Sequence, residues 1–358
     1  MKKHLVLLLA GFILITSCTP ADVQTIELPE PVVVVDRSTV TPSATPTPEP
    51  TLTPTPNPLW TIAPTLSPTP TPDPFEEMYI ESLMTRKYGG GVLEDLGPLN
   101  STSGSFTRRL FRYRSEGLEL YGFINIPAGE GPFPIIIMLH GYVKPEEYTT
   151  LDYSTRYADA LAEEGFVVLH PNLRGYAPSP AADNRLGLGD TIDALNLLAL
   201  ARQFSGVEGL LRNADADRVG LWGHSMGGGI VLRMLIIDQD IDAALIYASI
   251  SADEAVNLAH FEEDGRGVEK ISAPPETLER LSPLGYLDLI NVPMSIHHGT
   301  DDSVVPEEWS IDLCEKLQSI GKQADCQFYE DQPHTFQNNG DTRFIASMIE
   351  FFQFQLGK

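Results

Sequence analysis

The chain has 358 residues, of which 24 are Lys or Arg and 49 are Asp or Glu, giving a formal net charge of -25. This length is enough for one large domain or two smaller ones with a sizeable hydrophobic core. The negative charge argues against binding to nucleic acid and to anionic lipid head groups, so we interpret the acidity as that of a solvated surface.

Residues 1–17 have the pattern of a secretory signal. Lys2 and Lys3 form a basic start, residues 5–15 are apolar, and small residues precede Cys18. The pattern resembles a bacterial lipoprotein signal, which implies cleavage before Cys18 and attachment of lipid to its sulfur. The apolar run is shorter than the ~20 residues that a bilayer span requires. We therefore expect a protein anchored to the cell membrane through Cys18 and facing outside the cytoplasm.

Residues 18–74 are predicted to be a lipid-anchored linker, because residues 41–74 are rich in Thr and Pro. Proline lacks an amide hydrogen and has a fixed φ, which favours an extended polyproline II chain of ~3.1 Å per residue. The linker is interpreted as a disordered stalk, with a Pro-rich ligand for another protein as the alternative. Composition places the folded domain after about Phe75, with residues 75–105 as an N-terminal lead-in segment before the catalytic domain at 106–358.

Residues 106–358 show the alternation of strands and helices that is typical of an α/β domain. Two β segments at 106–114 and 118–126 form a hairpin-like entry. Short apolar runs without polar alternation then predict strands buried on both faces of a mostly parallel sheet. These runs are 135–139, 166–170, 219–222, 243–248 and 293–297, and helical stretches include 153–164, 188–204 and 227–237. Residues 251–282 are irregular, and are expected to be either a cap insertion or a surface excursion.

A nucleophile motif stands between a predicted strand and a predicted helix. The sequence Gly223-His224-Ser225-Met226-Gly227 has the GxSxG pattern, which holds its serine on a sharp strand-to-helix turn. Gly223 and Gly227 are expected because a Cβ at either position would collide with a neighbouring element. The pattern predicts that Ser225 is a catalytic nucleophile.

Ser225 needs a base and an acid, since a hydroxyl is a weak nucleophile until a neighbour takes its proton. His334 lies after the predicted strands. This agrees with the order along the sequence, Ser then acid then His, that accompanies a GxSxG serine on such a turn, the nucleophile elbow. Asp301 and Asp302 follow the strand at 293–297 and compete for the role of the acid that orients the imidazole, with Asp331 as a weaker candidate.

The oxyanion formed during acyl transfer needs hydrogen-bond donors. One predicted donor is the backbone N–H of Met226, which follows the nucleophile, and the other is the N–H of Tyr142 in the loop after the early strand. Gly141 allows this loop to bend sharply.

The motifs together resemble a known superfamily. His140-Gly141-Tyr142, the run from Gly223 to Gly228, and His298-Gly299-Thr300-Asp301-Asp302 are similar to those of prolyl oligopeptidase-type serine peptidases and of dienelactone hydrolase-like and acetyl-xylan-type esterases. The resemblance implies an α/β-hydrolase fold, and its HGxxD spacing selects Asp302 as the acid. The triad is thus expected to be Ser225, Asp302 and His334. Such peptidases usually carry an N-terminal β-propeller, and no propeller repeat occurs in this sequence, which keeps an esterase open.

Three functions follow as hypotheses. The first is a peptidase-like serine hydrolase that cleaves short peptides or acylated amino acids, the second is a carboxylesterase, and the third is an inactive surface-binding module.

Cys314 and Cys326 are expected to form a disulfide outside the cell or to remain as two buried thiols. The sequence shows neither a Cys/His metal pattern nor a phosphate-binding glycine loop, so no cofactor or metal is expected.

Overall fold

The computed structural model describes residues 73–101, 103–262 and 273–357. The predicted signal peptide, Cys18 and nearly all of the predicted linker lie outside the described residues.

One sheet of nine strands organises the described part of the chain. The strand bounds are β1 Leu93–Leu99, β2 Phe106–Ser115, β3 Leu118–Pro127, β4 Phe133–Leu139, β5 Val167–Pro171, β6 Ala214–His224, β7 Ala243–Tyr247, β8 Met294–Gly299 and β9 Ala324–Tyr329. Their spatial order is β1-β2-β3-β5-β4-β6-β7-β8-β9. Strands β4 to β9 run parallel to one another, whereas the pairs β1/β2, β2/β3 and β3/β5 are antiparallel.

Helices cover both faces of the sheet, because alternate residues of each central strand are apolar on both sides. On one face of β4, Ile135, Ile137 and Leu139 belong to a core that also contains residues of the helices Leu188–Phe204, Met226–Ile237 and Glu307–Ser319. On the other face, Ile136 and Met138 belong to a core that also contains residues of the helices Thr155–Glu163 and Asn338–Leu356. No helix in the described residues is long and apolar enough to cross a bilayer. The bounds are α1 Ile80–Thr85, α2 Thr155–Glu163, α3 Leu188–Phe204, α4 Met226–Ile237, α5 Glu254–Glu262, α6 Pro275–Leu281, α7 Glu307–Ser319 and α8 Asn338–Leu356, with 3-10 turns at Glu76–Met78, Arg185–Gly187 and Pro283–Leu289.

The predicted α/β-hydrolase architecture is confirmed, and the lead-in segment packs with it. Strand β1 lies in that segment and pairs with β2. Further upstream, Phe75, Tyr79 and Leu83 are buried against Leu188 and Leu281. Strand β1 has the sequence LEDLGPL, in which acidic residues, Gly and Pro replace the usual apolar pattern. Such a strand is tolerated because it lies at the edge of the sheet.

The segment 251–282 contains two helices, α5 and α6, and residues 263–272 between them are not described. The direction of the sheet order reverses at β4, since β5 lies on one side of it and β6 on the other. In open α/β sheets a crevice forms at such a switch point, beyond the carboxyl ends of the strands. Loop residues after β4 and β6 therefore meet there, and these are His140 to Tyr142 and Ser225.

Candidate active site

Ser225 occupies the turn between β6 and α4. Its φ of 54° and ψ of -117° are strained for a residue with a Cβ. The Ser225 amide donates to the Tyr247 carbonyl at 2.9 Å, and its carbonyl accepts from the amides of Gly228 and Ile250. These bonds hold the strained turn in place at the end of the sheet.

The glycines of the elbow are required by close backbone packing. A Cβ on Gly223 would overlap the Gly227 carbonyl, and a Cβ on Gly227 would overlap the Leu139 carbonyl at the end of β4. Both contacts are with backbone atoms, which cannot move aside as a flexible side chain would. The lack of a side chain at Gly223 therefore allows α4 to begin close to β6, and the lack of one at Gly227 allows α4 to approach β4.

His334 lies in the loop between β9 and α8, where its Nδ1 is 2.7 Å from Asp302 Oδ2. The other oxygen of Asp302 accepts the amides of Val304 and Val305 at 2.8 and 3.0 Å. Burial raises the pKa of the Asp302 carboxyl, but hydrogen bonds from His298 and His334 outweigh it and hold that pKa well below its usual value. Because an ionised carboxylate only accepts, His334 Nδ1 carries a hydrogen. In the neutral ring, Nε2 is then the atom that can take a proton.

His298 also contacts the acid, a role that was not predicted from the sequence. Its Nε2 lies 3.1 Å from Asp302 Oδ2 and 3.1 Å from the Val305 carbonyl, and its Nδ1 lies 2.7 Å from Ser310 Oγ. Both neighbours of Nε2 are acceptors, so Nε2 carries the hydrogen and Nδ1 accepts from Ser310. His298 thus fixes the orientation of the carboxylate. Its position as the first residue of the HGxxD motif is the signal that could have identified it.

Asp301 does not contact His334 in the structure. It is exposed at the turn, and its amide donates to the Gln332 carbonyl at 3.1 Å. Asp302 is the one of the two neighbouring aspartates that the fold brings to the imidazole.

Ser225 and His334 line the same cavity, whose volume is about 780 Å³. Within the described residues, the Ser225 hydroxyl has no hydrogen bond to His334 or to another protein group. Catalytic hydrogen bonds are often long in free enzymes and tighten when substrate binds. A substrate in this cavity would contact both the Ser225 hydroxyl and the His334 ring, because both line it.

The two predicted oxyanion donors also border this cavity. Neither the Tyr142 N–H nor the Met226 N–H has a backbone or side-chain acceptor among the residues the structure describes. Met226 is the first residue of α4, where amides lack intrahelical partners and the helix dipole favours negative charge. The amide of Gly141 is different, because it donates to the Tyr153 hydroxyl at 2.8 Å.

The cavity wall is mostly apolar but contains a buried ion pair that was not predicted from the sequence. Arg233 of α4 pairs with Glu254 of α5, and both side chains are almost fully buried. Burial raises the pKa of Glu254 in spite of the nearby Arg233. Leu258 and Phe261 of α5 also line the cavity, so the segment 251–282 contributes to its wall. In the described part of the chain, no cluster of three or more His, Cys, Asp or Glu side chains has the geometry of a metal site.

A disulfide joins Cys314 of α7 to Cys326 of β9, with the two Cα atoms 6.4 Å apart. Strand β9 lies beside β8 and leads into the loop of His334, whereas α7 follows the loop of Asp302. The bridge therefore connects the two elements adjoining the acid and base loops.

A mostly parallel sheet with a strained serine at a strand-to-helix turn and an acid-histidine pair on later loops is the arrangement of the α/β-hydrolase superfamily. Residues 120–350, more than half of the chain, match the dienelactone hydrolase family. The chain belongs to that family, and the predicted resemblance is confirmed.

Individual relatives include both peptidases and esterases. The uncharacterized peptidase YtmA of Bacillus subtilis is 24% identical over 247 residues, which cover 67% of this chain and 91% of the relative. The acylaminoacyl peptidase of Pyrococcus horikoshii superposes with a TM-score of 0.59 at 23% identity, covering 72% of this chain and 43% of that protein. An acetyl xylan esterase from Paenibacillus superposes with a TM-score of 0.57 at 16% identity, covering 77% and 92%. The chain thus spans less than half of the acylaminoacyl peptidase.

Proposed function

We propose that this protein is a serine hydrolase that forms an acyl-enzyme on Ser225. The proposal depends chiefly on the Asp302–His334 pair bordering the same cavity as the strained serine. In the proposed reaction His334 Nε2 removes the hydroxyl proton while Oγ attacks the substrate carbonyl carbon. The N–H groups of Tyr142 and Met226 stabilise the resulting oxyanion.

The second half of the reaction reuses the same groups. The imidazolium of His334 gives its proton to the leaving nitrogen or oxygen, and Asp302 stabilises the imidazolium while it exists. His334 then removes a proton from water, which attacks the acyl carbon and releases the acid with Ser225 restored.

The substrates we propose are short peptides or acylated amino acids. The named peptidases among the relatives support this choice. The cavity of about 780 Å³ supports it as well, since it is larger than an acetyl group needs and is lined by apolar side chains such as Val143, Leu258 and Phe261. The alternative is a carboxylesterase acting on small or polysaccharide esters, which is supported by the structural likeness to an esterase of similar length.

A substrate panel separates these two functions. Purified protein is incubated with aminoacyl amides, N-acyl amino acid amides, and acetyl and p-nitrophenyl esters, beside Ser225→Ala. Amide cleavage that is lost in Ser225→Ala supports the peptidase, whereas ester turnover with no amide cleavage supports the esterase. Ser319→Ala is the matched control, because Ser319 is exposed at the end of α7 and its hydroxyl bonds only the Lys316 carbonyl.

Fluorophosphonate labelling tests the nucleophile independently of the substrate. We expect one label on the wild-type protein and none on Ser225→Ala. A wild-type protein that neither labels nor turns over any substrate would instead support an inactive surface-binding module.

We further propose that Cys18 carries the lipid that anchors the protein to the cell membrane. The support is the signal pattern in residues 1–17 and the Thr/Pro-rich composition that follows. Metabolic labelling with a fatty acid should mark the wild-type protein and not Cys18→Ala, and the variant should leave the membrane fraction. A Cys18→Ala protein that stays in the membrane fraction would overturn the proposal.

A further inference from the structure

Two side chains, Tyr153 and His224, connect the three loops of the candidate site. Tyr153 lies just before α2, and His224 precedes the nucleophile. The Tyr153 hydroxyl lies 2.8 Å from the Gly141 amide and 2.6 Å from His224 Nδ1. His224 Nε2 lies 3.0 Å from the carbonyl of His334. Hydrogen bonds thus connect the oxyanion loop (residues 140–142), the nucleophile turn at residues 223–227, and the loop between β9 and α8 that carries His334.

The hydrogen positions in this series of hydrogen bonds follow from the two groups at its ends, the Gly141 amide and the His334 carbonyl. A carbonyl only accepts, so His224 Nε2 carries the hydrogen that binds the His334 carbonyl. In a neutral ring Nδ1 then accepts, and the Tyr153 hydroxyl is its donor. An amide only donates, so the Tyr153 oxygen accepts the hydrogen of Gly141. The donor and the acceptor of each of the three hydrogen bonds are therefore fixed.

The neutral state of His224 agrees with its surroundings. The side chain is 2% exposed, and burial lowers the pKa of His224 well below that of a free histidine, with His334 nearby adding to the effect. The His224 ring also packs with the rings of Tyr153, Tyr247 and Trp222, and the ring centroid of His334 is 4.7 Å away. Its two ring nitrogens are both occupied by the bonds described above.

Close packing makes the geometry of these loops interdependent. A Cβ on Gly141 would lie 2.9 Å from His224 Nδ1 and 2.9 Å from the Cβ of Ser225. The oxyanion loop is therefore in direct contact with the elbow. The Tyr153 hydroxyl accepts the Gly141 amide hydrogen, whereas the next amide, that of Tyr142, has no protein acceptor among the described residues.

We infer that Tyr153 and His224 are positioning residues for acyl transfer. They hold the Tyr142 amide and the His334 ring in the positions, relative to the Ser225 hydroxyl, that the reaction requires. This inference rests on the proposed function, since it assigns Tyr142, Ser225 and His334 their roles in that reaction. Tyr153 and His224 act through these groups and exchange no proton with the substrate.

A positioning role predicts loss in kcat rather than in KM. Oxyanion stabilisation and proton transfer occur in the transition state, whereas the cavity that binds the ground state is largely retained. Loss of one oxyanion donor costs about 10²–10³ in kcat, and a misplacement of about 1 Å costs about 10²-fold. For Tyr153→Phe we expect kcat to fall about 10- to 100-fold, with KM changed less than about threefold.

Variants of His224 separate its two bonds. His224→Phe removes both bonds. His224→Gln keeps a donor near the Nε2 position, and His224→Asn keeps an acceptor near the Nδ1 position. We expect each amide variant to recover part of the kcat that His224→Phe loses. We also expect Tyr153→Phe to cost less in the His224→Phe background than in wild type, because the bond between the two residues is already absent.

The matched control is Tyr88→Phe. The hydroxyl of Tyr88 donates to the Leu83 carbonyl, and Tyr88 does not line the cavity. The kcat of Tyr88→Phe should equal that of wild type. Thermal unfolding of each variant accompanies the kinetics. If Tyr153→Phe and His224→Phe lower only the melting temperature and leave kcat within twofold, or if the two losses are simply additive, the positioning role is wrong.

The proposed function can fail separately from this inference. If Ser225→Ala retains activity and label, the reaction assignment fails whatever the Tyr153 variants do. If Ser225→Ala is inactive while Tyr153→Phe and all His224 variants match wild type, only the positioning role fails. The rate of fluorophosphonate labelling gives a second readout, which should fall in Tyr153→Phe in parallel with kcat.

Discussion

Replacing Asp302 with Asn should nearly abolish turnover, and the structure predicts how. The Oδ1 atom of Asp302 accepts two backbone amides, from Val304 and Val305, which can only donate. The amide oxygen of Asp302→Asn must therefore occupy the Oδ1 position, and its NH₂ group must face His334. His334 then has to present a bare Nδ1, which moves its hydrogen to Nε2. The ring can no longer accept the proton of Ser225.

The expected cost follows from this change of tautomer. A triad forced into the wrong tautomer loses about 10⁴-fold in kcat, which corresponds to about 5.4 kcal/mol at 1.36 kcal/mol per tenfold. The assay is kcat/KM on the best substrate of the panel, together with the rate of fluorophosphonate labelling. Thermal unfolding checks that the Asp302→Asn protein is folded. The variant loses the bond from His298 Nε2, but its two backbone bonds are retained and His298 keeps the Val305 carbonyl as acceptor, so we expect a folded protein.

Asp301→Asn is the matched control, because it makes the same chemical change one residue earlier. Asp301 is exposed and does not bond His334, so its variant should stay within about threefold of wild type, as is usual for a surface change. An Asp302→Asn enzyme within tenfold of wild type, or an equal loss in Asp301→Asn, would refute the assignment of the acid.

Three further predictions concern the scaffold. Replacing Cys314 and Cys326 with Ser should lower the free energy of unfolding by about 3 kcal/mol, from the loop entropy of their 12-residue separation, and reductant should produce the same shift in thermal unfolding of the wild type. Gly227→Ala should yield little folded, labelled protein because its Cβ would overlap the Leu139 carbonyl, whereas Gly321→Ala, where a Cβ meets no atom within 4 Å, should still label despite its positive φ. Burial raises the pKa of Asp190 to about 7, above its unfolded value of about 3.9, so the folded state holds more protons between them. Stability from this residue should therefore fall as pH rises from about 4 to about 7, and Asp190→Asn should remove that part of the slope in urea unfolding at several pH values.

Most of the sheet was predictable because its central strands are buried on both faces. Such strands appear as continuous apolar runs, and the helix predicted over 188–204 has those bounds in the structure. Strand β1 was missed for the converse reason, since its half-exposed edge position imposes no apolar pattern on LEDLGPL. The packing of the lead-in segment likewise depends on contacts of Phe75 and Tyr79 with Leu188 and Leu281, which lie more than 100 positions away.

The sequence alone determined the chemistry that local pattern imposes: an elbow that needs glycines around Ser225, and loops carrying Asp302 and His334 after later strands. Tertiary structure decided which side chains meet. Adjacent residues such as Asp301 and Asp302 point in different directions, and only the folded loops bring one of them to the imidazole. The bonds of His224 to Tyr153 and to His334 span 71 and 110 residues. No local pattern encodes such contacts, because they arise when the parallel strands align their carboxyl ends at one edge of the sheet.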